Sequence, residues 1–251
     1  MTYCLALKLD EGLAFCSDSR TNAGPDRVST YSKMHRFSSR DDRQIVILTA
    51  GNLGTTQAVI STLERDLKHD AAFNLSNAVY VSDVADYIGE LSVKTQRKYA
   101  STGPEAGFNA TATFIVGGQI KGNDPELYLI YSEGNHITTS DKHPFLQIGE
   151  IKYGKPILDR IVRRHTENET AMRCMLVSMD STMRSNATVG PPIELLFLKR
   201  DELKQPAYYR SFEYNDEYLL ALRHGDIAAF VIHPIGKSSE IATIRRQGIL
   251  T

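Results

Sequence analysis

The order in which the apolar pattern changes period along this chain restricts its fold more than any single motif. Residues 3–9 read as a strand of mixed polarity and 13–17 as a second strand around a turn at Asp10-Glu11-Gly12, and Gln44-Ile45-Val46-Ile47-Leu48-Thr49-Ala50 reads as a buried strand. Two helical patterns follow, from Thr55 or Thr56 to about His69 and from about 80 to 98. In the first, Val59, Ile60, Leu63 and Leu67 share one face, opposite Glu64, Arg65 and Lys68. Strand character returns over 109–119, 127–131, 136–139 and 145–150. Two more helices are expected near 156–162 and 168–184, and then a strand at Ile193–Leu198. Such blocks differ from the regular strand-helix alternation of a doubly wound sheet. They predict an α+β fold, a four-layer αββα sandwich in which two sheets pack between helical layers. Residues 1–199 form the core domain in this reading, and 200–251 an extension packed on it or on a neighbouring subunit.

Composition removes several functions. The 251 residues carry 29 basic and 30 acidic side chains, a formal net charge of -1, so no global nucleic-acid surface is expected. Apolar runs such as Ile227–Ile232 fall far short of a membrane span, and no basic leader with an apolar block precedes Asp10. The expected location is the cytoplasm. Cys4, Cys16 and Cys174 make an odd set without metal-like spacing. Cys4 and Cys16 either face one another across the first hairpin or, more simply, stay as buried thiols. Neither a phosphate loop after Gly51-Asn52-Leu53-Gly54 nor a His-Glu-x-x-His motif occurs, and the seven histidines are dispersed, so no cofactor and no metal is expected. Met172, Met175, Met179 and Met183 read as core or interface fillers.

The chemistry-bearing stretch is the N-terminus. A Met followed by Thr2 can be trimmed, which leaves a hydroxyl and a free α-amine on one residue: a nucleophile with its own base. Asp18 reads either as a turn former in Asp18-Ser19-Arg20 or as a buried acid that orients a cation. Lys33 is either a solvated strand-edge lysine or the charge that lowers the proton affinity of the amine. Gly51 closes the buried strand, where a small residue permits a tight turn or an exposed amide able to bind an oxyanion. Asp180 stands near the end of a helix, where the dipole disfavours an acid, so a specific partner is expected for it.

Thr2, Asp18, Lys33 and Thr49-Ala50-Gly51 together resemble the proteasome beta-subunit and HslV superfamily of N-terminal nucleophile hydrolases. The stretches Ile148–Arg160 and Ser178–Asn186 resemble the Anbu branch of that superfamily more specifically. The resemblance implies a threonine-type endopeptidase acting on peptides or unfolded proteins, with Thr2 as nucleophile, Asp18 and Lys33 as its activating pair, Gly51 as oxyanion amide and Asp180 as supporting acid. Lys33 sits one position closer to Thr2 than in common proteasome subunits. Where those subunits carry a serine after a glycine near the terminal amine, this chain has Glu150 after Gly149. Met183 takes the place of a second serine, with Ser181 and Ser185 as substitutes. The alternatives implied are a weak or inactive assembly or peptide-binding protein of the same fold, or another amide hydrolase of the class. The resemblance also implies a homo-oligomer, ring-like or openly helical, with the methionine-bearing helices and the C-terminal extension as contacts. No ATP site is visible, and an ATPase partner stays open.

Overall fold

The computed structural model describes residues 1–22, 28–38, 40–102 and 109–224. The hairpin β1 (Tyr3–Leu9) and β2 (Gly12–Asp18) comes first, then the ribbon β3 (Arg20–Asn22) and β4 (Val28–Thr30), and then β5 (Met34–Phe37) and β6 (Arg43–Gly51). Helices α1 (Leu53–Lys68) and α2 (Val81–Thr102) lead to β7 (Ala112–Ile120), β8 (Glu126–Ile130), β9 (His136–Thr138) and β10 (Phe145–Gly149). Helices α3 (Lys155–Ile161) and α4 (Asn168–Ser185) precede β11 (Ile193–Lys199), β12 (Tyr208–Phe212) and α5 (Glu217–His224). One five-stranded sheet runs β10-β1-β2-β11-β12 and the other β5-β6-β7-β8-β9, each with antiparallel neighbours.

Three apolar layers hold the stack together. Cys4, Ala6, Phe15, Leu48, Ile115 and Leu196 lie between the sheets. The outer face of the first sheet buries Leu5, Leu7, Cys16 and Leu195 against Leu158, Met175 and Met179 of α3 and α4. The outer face of the second buries Ile47, Phe114 and Val116 against Val59, Leu63, Val84 and Ile88 of α1 and α2. The expected four-layer sandwich is therefore the observed one. Fully burying a residue such as Phe15 contributes about 2–3 kcal/mol.

Local chemistry sets the element ends. Asn52 caps α1 by accepting the Thr55 amide at 3.1 Å, so the helix starts at Leu53, before the expected threonines. Asn109 holds the Thr111 amide at 2.9 Å in a turn, which delays β7 to Ala112. Pro156 sits in the first turn of α3, where a missing amide hydrogen costs nothing.

Two open alternatives are decided, with Cys4 and Cys16 found as the buried free thiols of the simpler expectation. Cys4 lies opposite Ser17 and Cys16 opposite Leu5, so the two thiols point to opposite faces of the sheet and do not meet. Met172, Met175 and Met179 of α4 are buried, and the partly buried Met183 packs against the same cluster, so of core or interface fillers they are core fillers. Past residue 199, β12 completes the first sheet beside β11, and Tyr218, Leu219 and Leu222 of α5 join its outer core. The run Ile227–Ile232 and the tail 241–246 lie outside the described residues.

Candidate active site

Thr2 is 8% exposed at the entrance to β1. Its carbonyl accepts the Glu150 amide at 2.7 Å, and Tyr3 pairs with Gly149 across the sheet. Gly149 has φ +84°, and a Cβ there would stand 1.9 Å from the Thr2 oxygen. Only glycine permits the two backbones to come this close.

On the other side of Thr2, Asp18 ends β2 fully buried. Its Oδ1 accepts the Tyr3 amide at 3.0 Å and the Lys33 ammonium at 2.7 Å, and its Oδ2 accepts the Gly190 amide at 3.2 Å. Lys33 also donates to the Arg20 carbonyl at 2.6 Å, so it is no strand-edge lysine. Burial pushes the Asp18 carboxyl above its ordinary range, while the Lys33 charge and the two amides pull it down. The lysine is fixed through its backbone as well. Its carbonyl accepts the Thr49 amide at 3.0 Å, which docks the strand that ends in Gly51 beside it. Gly51 is exposed with φ +104°, and a side chain there would strike the Thr111 carbonyl at 2.4 Å.

Met1 precedes Thr2, so the terminal ammonium lies one residue outside it. Burial lowers the proton affinity of this ammonium and the Lys33 charge lowers it further; Asp18 and, last, Glu150 oppose them. The Glu150 carboxylate is held by Asn186 Nδ2 at 3.1 Å and more loosely by Lys152 at 3.9 Å.

Asp180, on α4, has the specific partner its position calls for: Arg184 Nε, one turn on, at 2.7 Å. Ser181 spends its hydroxyl on the Tyr153 carbonyl at 3.3 Å, and Ser185 is exposed as the last residue of α4. The structure thus gathers Thr2, Asp18, Lys33 and Glu150 closely and docks the Gly51 strand against Lys33. It directs Ser181 to another backbone and leaves Ser185 at the surface. Sequence reasoning did not assign Tyr3, Gly190 or Arg20 to the site, because each acts on Asp18 or Lys33 through a backbone atom. Gly149 and Asn186 did lie in stretches already singled out.

A cleft of about 860 Å³, bordered by Glu11, Arg36, Asn168, Lys199 and Tyr209, lies at the β1–β2 turn, the opposite end of β1 from Thr2. It takes no part in this chemistry. Among the described residues no cluster of three or more His, Cys, Asp or Glu side chains is spaced to hold a metal ion, and no helix is long and apolar enough to cross a membrane.

Two sheets packed between helical layers, with a threonine at the chain entrance beside a buried acid–lysine pair, define a proteasome-subunit-like chain of the N-terminal nucleophile class. A family model described as "Proteasome subunit" matches residues 2–198. The chain belongs to that family, and within it to Anbu, the ancestral beta-subunit branch. It is 44% identical to the subunit in the helical assembly of the Anbu complex from Pseudomonas aeruginosa, with TM-score 0.84, over 90% of this chain and 93% of that one. Anbu from Yersinia bercovieri is 39% identical at TM-score 0.82, over 89% and 92%. A Gly-1 mutant of Anbu from Hyphomicrobium sp. strain MC1 is 38% identical at TM-score 0.82, over 91% and 94%. A search of the curated proteins gave no match.

Proposed function

We propose that this chain is the subunit of a homo-oligomeric, openly helical or ring-like cytoplasmic assembly whose Thr2 site binds peptide segments and hydrolyses amide bonds weakly. The observation that carries the reading is Glu150, whose amide holds the Thr2 carbonyl at 2.7 Å where the family pattern has a serine. A carboxylate favours the ammonium form of a nearby amine and so opposes its use as a base. The helical assembly of the 44% identical Pseudomonas aeruginosa relative supports self-association. Light scattering tests the assembly directly: a monomer at micromolar concentration would end that half of the proposal.

A second reading, an efficient threonine peptidase, is favoured by the lowered proton affinity of the terminal amine and by the Asp18–Lys33 pair. In that chemistry the Thr2 hydroxyl attacks a peptide carbonyl as its own amine takes the hydroxyl proton, with Lys33 supporting the transfer. The Gly51 amide faces the oxyanion, the proton passes to the leaving amine, and water releases the acyl group from Thr2.

Intact mass before and after exposure to a β-lactone or an epoxyketone, with Thr2→Ala as control, separates the two readings. Slow stoichiometric labelling of the trimmed parent alone, with little peptide turnover, supports the weak site. Rapid turnover that Thr2→Ala abolishes establishes the peptidase. Complete trimming without any adduct makes the protein a noncatalytic assembly.

A further inference from the structure

We infer that the hydroxyl of Tyr3 is a positioning group for the Thr2 site, tying the α4 arm that carries Asp180 to the β10 arm that carries Gly149 and leads into Glu150. The inference rests on the reading of Thr2 as the reactive residue. Tyr3 is fully buried, and Gln147 Nε2 donates to its hydroxyl oxygen at 2.5 Å while Ser178 Oγ lies 2.7 Å away. Gln147 donates to the phenol, and either hydroxyl donates in the bond between Tyr3 and Ser178. Burial keeps this hydroxyl protonated throughout the neutral range.

The surroundings are built around that junction. A Cβ on Gly154 would lie 2.3 Å from both Tyr3 OH and Ser178 Oγ, so the loop before α3 closes directly over it. Gln147 is three residues before Glu150 on β10, and Ser178 two before Asp180 on α4. The Tyr3 amide meanwhile holds Asp18 at 3.0 Å. One residue next to the nucleophile therefore touches β2 at Asp18 through its backbone, and α4 at Ser178 and β10 at Gln147 through its phenol. Without the hydroxyl, Ser178 and Gln147 face an apolar ring, and α4 and β10 are free to settle apart.

The test uses full-length protein released from a cleavable N-terminal fusion, so that Thr2 is the first residue. The parent, Tyr3→Phe, Ser178→Ala and the double variant are compared for rate of β-lactone acylation and its pH profile. The midpoint of α-amine labelling by acetic anhydride is measured in parallel, because the charges of Lys33, Asp18 and Glu150 already act on the terminal amine at Met1, and the midpoint follows their arrangement without requiring catalysis. Each single variant is expected to slow acylation about tenfold, the scale of a misplaced reacting group, and to move the amine midpoint. The double variant is expected to be no slower than either single one. Rates and midpoints equal to the parent's would overturn the inference, whatever the change in melting temperature. A parent that does not acylate removes the reading of Thr2 chemistry; an amine midpoint moved by Tyr3→Phe then still supports positioning, and an unmoved one rejects it. Should Tyr3→Phe not fold, Ser178→Ala decides alone.

Discussion

The two sides of Thr2 are built on different electrostatic terms. On one side Asp18 and Lys33 are both nearly excluded from water, and three donors of fixed direction meet the carboxylate. On the other, Glu150 is almost as buried, but its charged partner Lys152 has a side chain 65% exposed. A pair sealed from solvent is rigid and costly to break, whereas a carboxylate answered by a solvated cation feels a screened, adjustable field. The fold thus fixes the lysine side of the site and leaves the carboxylate side tunable.

The contrast breaks most sharply with Lys33→Ala, which strands the Asp18 charge in the interior. Chemical denaturation is expected to show a loss of about 3–5 kcal/mol, together with loss of Thr2 labelling. Lys33→Met combined with Asp18→Asn should recover much of the stability and none of the labelling.

Acid exposes the sealed side next. His35, two residues past Lys33 on β5, is pushed by burial from 6.5 down to about 4. Because the folded state resists its protonation, this contribution is complete above about 6.5 and is lost as pH falls through 4. Denaturation at neutral and acid pH should differ by on the order of 2–3 kcal/mol from this group, and His35→Phe should shrink the difference.

Gly149→Ala tests the backbone of the tunable side, where φ +84° and the Thr2 carbonyl leave no room. A loss on the order of 2 kcal/mol is expected, with slower acylation of Thr2. Wild-type stability and rate would mean that this flank is soft down to its main chain.

Smallest is Glu150→Ser. It should change stability by less than about 0.5 kcal/mol while lowering the midpoint of the terminal amine and raising the rate of β-lactone labelling. An unchanged amine would show that the carboxylate is fully screened and that the sides differ less than their partners suggest.

Sequence reasoning reached the layers because period and caps are local. Gln44–Ala50 holds a short continuous apolar run, buried on both faces, and stops at a glycine that the backbone conformation requires. Val59, Ile60 and Leu63 recur at helical spacing and are buried as a set. Asp180 was legible for the same reason, since its conflict with the helix dipole is met by Arg184 on the same helix. What escaped was made by packing alone: the Gly190 amide reaches Asp18 from 172 positions away, and Ser178 meets Tyr3 across 175. No side-chain pattern announces a backbone donor. The methionines could be read only as core or interface fillers, because a flexible apolar residue looks alike in both; the structure places them in the core.

The first backbone atoms of the chain held by the sheet are the Thr2 carbonyl and the Tyr3 amide, while Met1 projects 63% exposed beyond them. Removing that methionine leaves the Thr2 carbonyl and Tyr3 amide contacts in place and moves the terminal charge one residue inward, to a position only 8% exposed. Maturation, on this geometry, is a question of timing: an aminopeptidase needs a loose end, and a chain end already locked into a neighbouring copy offers none. The fraction of live sites in an assembly would then record how folding, docking and clipping raced one another in the minutes after synthesis.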